Sequence, residues 1–79
     1  MEILIGENNN TRSIIRRNGD EDVVNIPTPN ILDANSWSGF RVVFSNWMVL
    51  VFREADQFPF MGFNMRDFYP IRFYGIRTP

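Results

Sequence analysis

The side chains best suited to holding a polar ligand are Asn8, Asn9, Asn10, Arg12, Trp47 and Arg53. Amide and guanidinium groups present several donors in planar geometry, and an indole face can stack on a sugar ring. Acid–base catalysis has less to draw on. The chain has no His and no Cys, and all eight of its basic residues are Arg, so no unperturbed side chain titrates near neutrality. No carboxylate sits inside an apolar run that would raise its pKa, and no catalytic residue is assigned. The acidic run Asp20-Glu21-Asp22 alternates sides along a strand and cannot converge on an ion, so no metal site is assigned either. A purely structural role competes with recognition at the same positions. It would bury Trp47 in the core and pair Arg12 and Arg53 with carboxylates across strands.

Composition narrows the class. Seventy-nine residues make one small domain, burying roughly 60% of the unfolded chain's surface. The balance of 44% apolar and 22% charged residues is that of a globular chain. With nine acids against eight Arg the net charge is -1, which argues against a nucleic-acid partner. No apolar run approaches the ~20 residues of a membrane-spanning helix. Met1-Glu2-Ile3 lacks the basic start of a signal peptide, making the cytoplasm the default expectation. The missing Cys excludes disulfides and thiolate metal sites.

Period-2 patterning then places the elements. Glu2 to Ile5 reads as a strand, Asn8 to Asn10 as a loop, and Arg12 to Arg17 as a strand with one Ile on each face. Asn18-Gly19 is a hairpin signal that brings the acidic run beside Arg16 and Arg17. Val23 to Ile26 returns as a strand stopped by Pro27 and Pro29, an edge or a crossing loop rather than a central strand. Ile31-Leu32 is expected to tuck under as a plug, with a helical turn from Asn30 to Ala34 as an option. The apolar mass lies in Trp37 to Arg53, read as a hairpin turning at Ser45-Asn46. In it Phe40, Val42 and Phe44 share a dry face, and Trp47 to Phe52 is covered on both faces. Phe58 to Phe63 and Ile71 to Arg77 complete the set. Six to seven short strands with frequent turns predict an all-β fold, a small antiparallel β-sandwich or flattened barrel.

Several blocks together carry a family resemblance. Glu2-Ile-Leu-Ile-Gly6, Asn10-Thr-Arg-Ser-Ile-Ile-Arg-Arg17, Trp37-Ser-Gly-Phe-Arg-Val-Val-Phe44, Pro59-Phe-Met61 and Ile71-Arg-Phe-Tyr-Gly-Ile-Arg-Thr78 follow one another in order along nearly the whole chain. Together they resemble the farnesoic acid O-methyltransferase-like domain family. That family usually has Gly in the turn of the central hairpin and before the Arg of its second strand. This chain has Asn46-Trp47 and Phe52 there. The family domain also begins about two strands earlier than Met1, so residues 1–79 are expected to be a single, N-terminally truncated domain. On that expectation Glu2 to Ile5 would lie at an open sheet edge, and two copies would pair through strand edges.

The resemblance implies two functions of different kinds. The family name implies a methyltransferase of the juvenile hormone pathway, moving a methyl group from S-adenosylmethionine to farnesoic acid. Its usual site is a parallel α/β sheet with a Gly-rich loop. The five glycines here, at 6, 19, 39, 62 and 75, are widely spaced, and no helical periodicity supplies crossovers. The preferred expectation is a non-catalytic recognition module that needs no cofactor. It would bind a protein or glycan ligand through Asn8, Asn9, Asn10, Arg12, Trp47 and Arg53.

Overall fold

The computed structural model describes residues 1–17, 21–33, 39–66 and 75–78. The described residues form two sheets from seven strands: β1 (Glu2–Gly6), β2 (Arg12–Arg17), β3 (Glu21–Pro27), β4 (Phe40–Ser45), β5 (Met48–Arg53), β6 (Met61–Asn64) and β7 (Gly75–Arg77). The larger sheet has the order β3-β2-β1-β7 and the smaller β4-β5-β6. Every pairing is antiparallel except that of β1 with β7. The fold is the expected small all-β sandwich.

Alternation builds the core. Ile3, Ile5 and Ile15 of the larger sheet pack against Val49, Val51 and Met61 of the smaller one, with Met1 and Ile31 closing the ends. Ile31 is buried and Leu32 packs at the rim, so the expected plug is present. Ile14 falls on the opposite face from Ile15, beside Leu4, and both Leu4 and Ile14 are buried there. Toward the end of the same strand Arg16 pairs with Asp22 at 2.8 Å, and Arg17 pairs with Glu21. The acidic run therefore meets the arginines as expected. The hydrogen bond to Asp22 holds the Arg16 guanidinium above its ordinary pKa.

One polar pair lies inside the core layer. The hydroxyls of Ser13 and Thr28 are 2.7 Å apart and both residues are buried. Each satisfies the other, so removing one strands its partner. Ser13→Ala is expected to cost about 1–3 kcal/mol, whereas Ser13→Ala with Thr28→Val should cost clearly less. Urea unfolding of both variants checks this. Equal losses would mean that the hydroxyl pair contributes nothing as a pair.

Several expectations need correction. The strand from Glu2 to Ile5 is not an open edge: β1 is flanked by β2 on one side and β7 on the other. Residues 2–4 pair with residues 75–77, a contact across the whole chain that no local pattern announces. The central hairpin turns one residue later than expected, at Asn46-Trp47, because Ser45 still pairs with Met48. Trp47 is thus a turn residue. Val49 and Val51 are wholly buried between the sheets. The other face of β5 is covered by neighbours in its own sheet: the Arg41 guanidinium lies 4.4 Å from the Phe52 ring centroid, and Leu50 lies over Gly62. Phe44 follows the inward phase yet is 51% exposed, because it lies near the hairpin end of its strand.

The described part of the optional helix after Asn30 is not helical. Asn30 has φ 57, and Ile31 N–H donates back to the Thr28 carbonyl at 3.3 Å to close a turn. The expected strand from Phe58 to Phe63 starts only at Met61, after Pro59. The Asn18-Gly19 turn, Ala34 and residues 71–74 lie outside the described residues. Among the described residues no helix is long and apolar enough to cross a membrane.

Candidate functional site

The connection from β1 to β2 is a single tight turn, α1 (Glu7–Asn10), with unusual dihedrals. Gly6, Asn8, Asn9 and Asn10 have φ of 74, 53, 60 and 65. Non-glycine residues pay about 1–2 kcal/mol in this left-handed region, and Asn tolerates it best because its short side chain bonds locally. That is why three consecutive Asn residues suit the turn. Thr11 closes it, with its N–H donating to the Glu7 carbonyl at 3.1 Å and its hydroxyl to the Asn8 carbonyl at 2.7 Å.

Asn10 anchors the turn to the rest of the molecule. Its Nδ2 donates to the Leu32 carbonyl at 2.6 Å, and its Oδ1 accepts from the Leu32 N–H at 2.9 Å. Its own carbonyl accepts from Asn30 N–H at 2.8 Å. Leu32 in turn packs on Gly6, where an added Cβ would come within 2.8 Å of Leu32 Cγ. Asn10 is therefore committed to structure. Asn8 and Asn9 are exposed at the tip of the turn that it holds. Arg12, at the start of β2, donates from Nε to the Asn25 side chain and from Nη2 to the Asn25 carbonyl at 3.2 Å. A neutral amide holds its guanidinium, where the structural reading expected a carboxylate.

Trp47 occupies the tip of a two-residue hairpin turn with φ 67, after Asn46 with φ 50. Positive φ at both central positions marks a type I′ turn, which normally takes Gly second. Trp47 is 46% exposed, which overturns its reading as a core residue. Its carbonyl accepts from the Met65 N–H at 2.6 Å, tying the tip to the end of β6. Arg53 lies at the other end of β5. Its guanidinium is 5.7 Å from the Phe60 ring centroid, and Phe60 makes an edge-on contact with Phe40 at 6.1 Å. A cation–π contact takes the place of the expected ion pair.

The candidates therefore do not form one site. Asn8, Asn9 and Arg12 share one loop region, with Asn10 beneath them. Trp47, in the turn before β5, and Arg53, at the far end of β5, are six residues apart, roughly 20 Å at ~3.3 Å per residue. Two exposed aromatics escaped sequence reasoning: Phe44, whose phase pointed inward, and Phe58, 79% exposed beside Pro59. Only the neighbouring Pro could have signalled Phe58.

Residues 1–79 match the family model described as farnesoic acid O-methyl transferase. No curated protein and no solved structure matches the chain. The S-adenosylmethionine implied by that description would call for a stretch of backbone left open by glycine. The described glycines do not fit that need. The side-chain positions of Gly6, Gly39 and Gly62 are filled by Leu32, Glu54 and Leu50, and Gly75, with open space beside it, stands in the three-residue strand β7.

Proposed function

The chain belongs to the farnesoic acid O-methyl transferase family, and on that premise we propose that it is a non-catalytic recognition module for a glycan or protein ligand. The observation that carries this reading is Trp47. A bulky residue in the left-handed region is a true outlier, and strain of about 1–3 kcal/mol at a loop tip is commonly retained for function. Here the strained residue is a half-exposed tryptophan, the residue best able to stack on a sugar or anchor a protein contact. Asn8 and Asn9 are a second exposed group, held at fixed angles by the Asn10 bracket. Preorganised loops of this kind lose little entropy on binding. The reading needs no cofactor.

Trp47→Gly separates a functional tryptophan from a structural one. Glycine relieves the left-handed conformation while the buried part of Trp47 is lost, so stability should stay within about 1 kcal/mol of wild type. On a glycan array, or against a protein ligand found by crosslinking, binding should fall at least about tenfold. Unchanged binding with Gly at position 47 would sink the proposal. The family description itself favours a second reading, methyl transfer to farnesoic acid. Incubation with S-adenosylmethionine and farnesoic acid tests it, and methyl ester formation by purified chain would replace recognition with catalysis.

A further inference from the structure

We infer that the hairpin tip at Trp47 takes an acidic sugar, bearing a carboxylate or a sulfate, and that Arg66 binds its anion. This rests on the recognition role of Trp47 and narrows it to one ligand class. Every other described arginine is already engaged. Arg16 and Arg17 pair with Asp22 and Glu21, and Asn25 holds Arg12. Arg41 lies over Phe52 with Nη1 and Nη2 each 3.4 Å from the carbonyls of Glu54 and Asp56. Arg53 lies over Phe60, and Arg77 meets Glu2 at 3.9 Å. Arg66 is exposed, and among the described residues no carboxylate or ring meets its guanidinium. Asp67, the next residue, lies outside the described residues.

The backbone brings Arg66 to Trp47 and fixes it there. Pairing between β5 and β6 sets Met48 opposite Asn64. It continues one step past the strands, where the Met65 N–H donates to the Trp47 carbonyl at 2.6 Å. Arg66 follows directly, and its N–H donates to Asn64 Oδ1 at 2.9 Å, closing an Asx-type turn. By standard backbone dimensions the Cα atoms of Trp47 and Arg66 are therefore at most about 10 Å apart. Asn46, exposed at φ 50 beside Trp47, adds a planar amide to the same tip.

These groups suit complementary parts of one ligand. An indole offers a flat apolar surface to the face of a pyranose ring. A guanidinium binds a carboxylate or sulfate through two parallel N–H donors, which an ammonium cannot do. Charge favours an anion at this end of the sheet. Glu21 and Asp22 belong to the other sheet and are paired with arginines, and Glu54 and Asp56 lie past the far end of β5. Contact size favours a sugar over a folded protein. A stable protein interface buries about 1,200–2,000 Å², whereas a turn tip of a few side chains matches one or two sugar rings.

A saccharide array, matched in backbone and differing only in charge, tests this with the purified chain. Carboxylate- or sulfate-bearing members should bind at least about tenfold tighter than their neutral counterparts, and the margin should shrink as salt is raised. Arg66→Gln, at an exposed position, should melt like the wild type and lose that margin. Arg66→Lys should retain part of it, because charge remains without the paired donors. Trp47→Gly should weaken acidic and neutral members alike. Binding that needs Trp47 but ignores charge or Arg66→Gln would overturn the acidic sugar and leave recognition by Trp47 standing. Binding indifferent to Trp47→Gly would overturn both. Polyglutamate bound as tightly as the acidic saccharides, and equally dependent on Arg66, would overturn the sugar in favour of an acidic peptide. An array with no bound member would overturn the inference and leave a protein ligand as the recognition reading.

Discussion

Replacing Leu4 with lysine is expected to leave the chain unfolded at 25 °C. Leu4 is wholly buried and sits in the interior strand of the larger sheet, with Ile14 beside it on β2 and Arg77 on β7. A lysine there has no short path to water on either side, and burying an unpaired ammonium costs several kcal/mol or forces it to lose its proton. A domain of this size has only about 4–12 kcal/mol of stability in total. Leu4→Ala should stay folded with a loss of about 2–5 kcal/mol, the usual range for a buried leucine. Far-UV circular dichroism with urea titration distinguishes the two. A lysine variant that melts cooperatively near the wild-type midpoint would mean that β1 is an edge after all.

Asn10→Ala is expected to cost about 2–4 kcal/mol, well above the effect of Asn9→Ala. Both substitutions place alanine in the left-handed region, at a cost of about 1–2 kcal/mol each relative to an allowed conformation, less whatever strain Asn already bears. Only Asn10 also loses two hydrogen bonds to Leu32, worth about 0.5–1.5 kcal/mol apiece. Leu32 would then lose its tether to the turn and its seat on Gly6. Chemical unfolding of the two variants side by side is the measurement. Losses that agree within about 0.5 kcal/mol would show that the amide bracket is not what holds the loop. The contrast matters for function, because it separates the Asn that builds the turn from the Asn residues displayed by it.

Much of this architecture was legible in local pattern. The alternation in Arg12 to Arg17 placed Ile14 and Ile15 on opposite faces, and the acidic run after residue 19 found Arg16 and Arg17 as charge pairing required. Pro27 limits its segment to an edge or a crossing loop, and among the described strands β3 is an edge of its sheet. The hairpin turn was misplaced by one residue because tryptophan is a poor turn former and its apolar character drew it into the strand. At the candidate loops, residue type placed Asn8 and Asn9 in a loop where they are exposed, whereas Arg12 is half-buried and held by Asn25. Residue type did not reveal that Asn10 is consumed by Leu32, a contact made across 22 positions.

What the amino-acid sequence determined by itself was whatever depends on neighbours a few residues apart. That covers strand periodicity, the left-handed tolerance of Asn8 to Asn10, the ion pairs across β2 and β3, and the exclusion of disulfides. Tertiary structure alone decided which strand became interior and which candidate side chains lie near one another. The pairing of β1 with β7 joins the two ends of the chain, and that single contact turns the expected edge into the middle of a sheet. In the smaller sheet the hairpin puts Trp47 in the turn before β5 and Arg53 at the far end of that strand. Such pairings depend on how whole sheets bury their apolar faces against each other, a sum over distant residues that no short window of sequence contains.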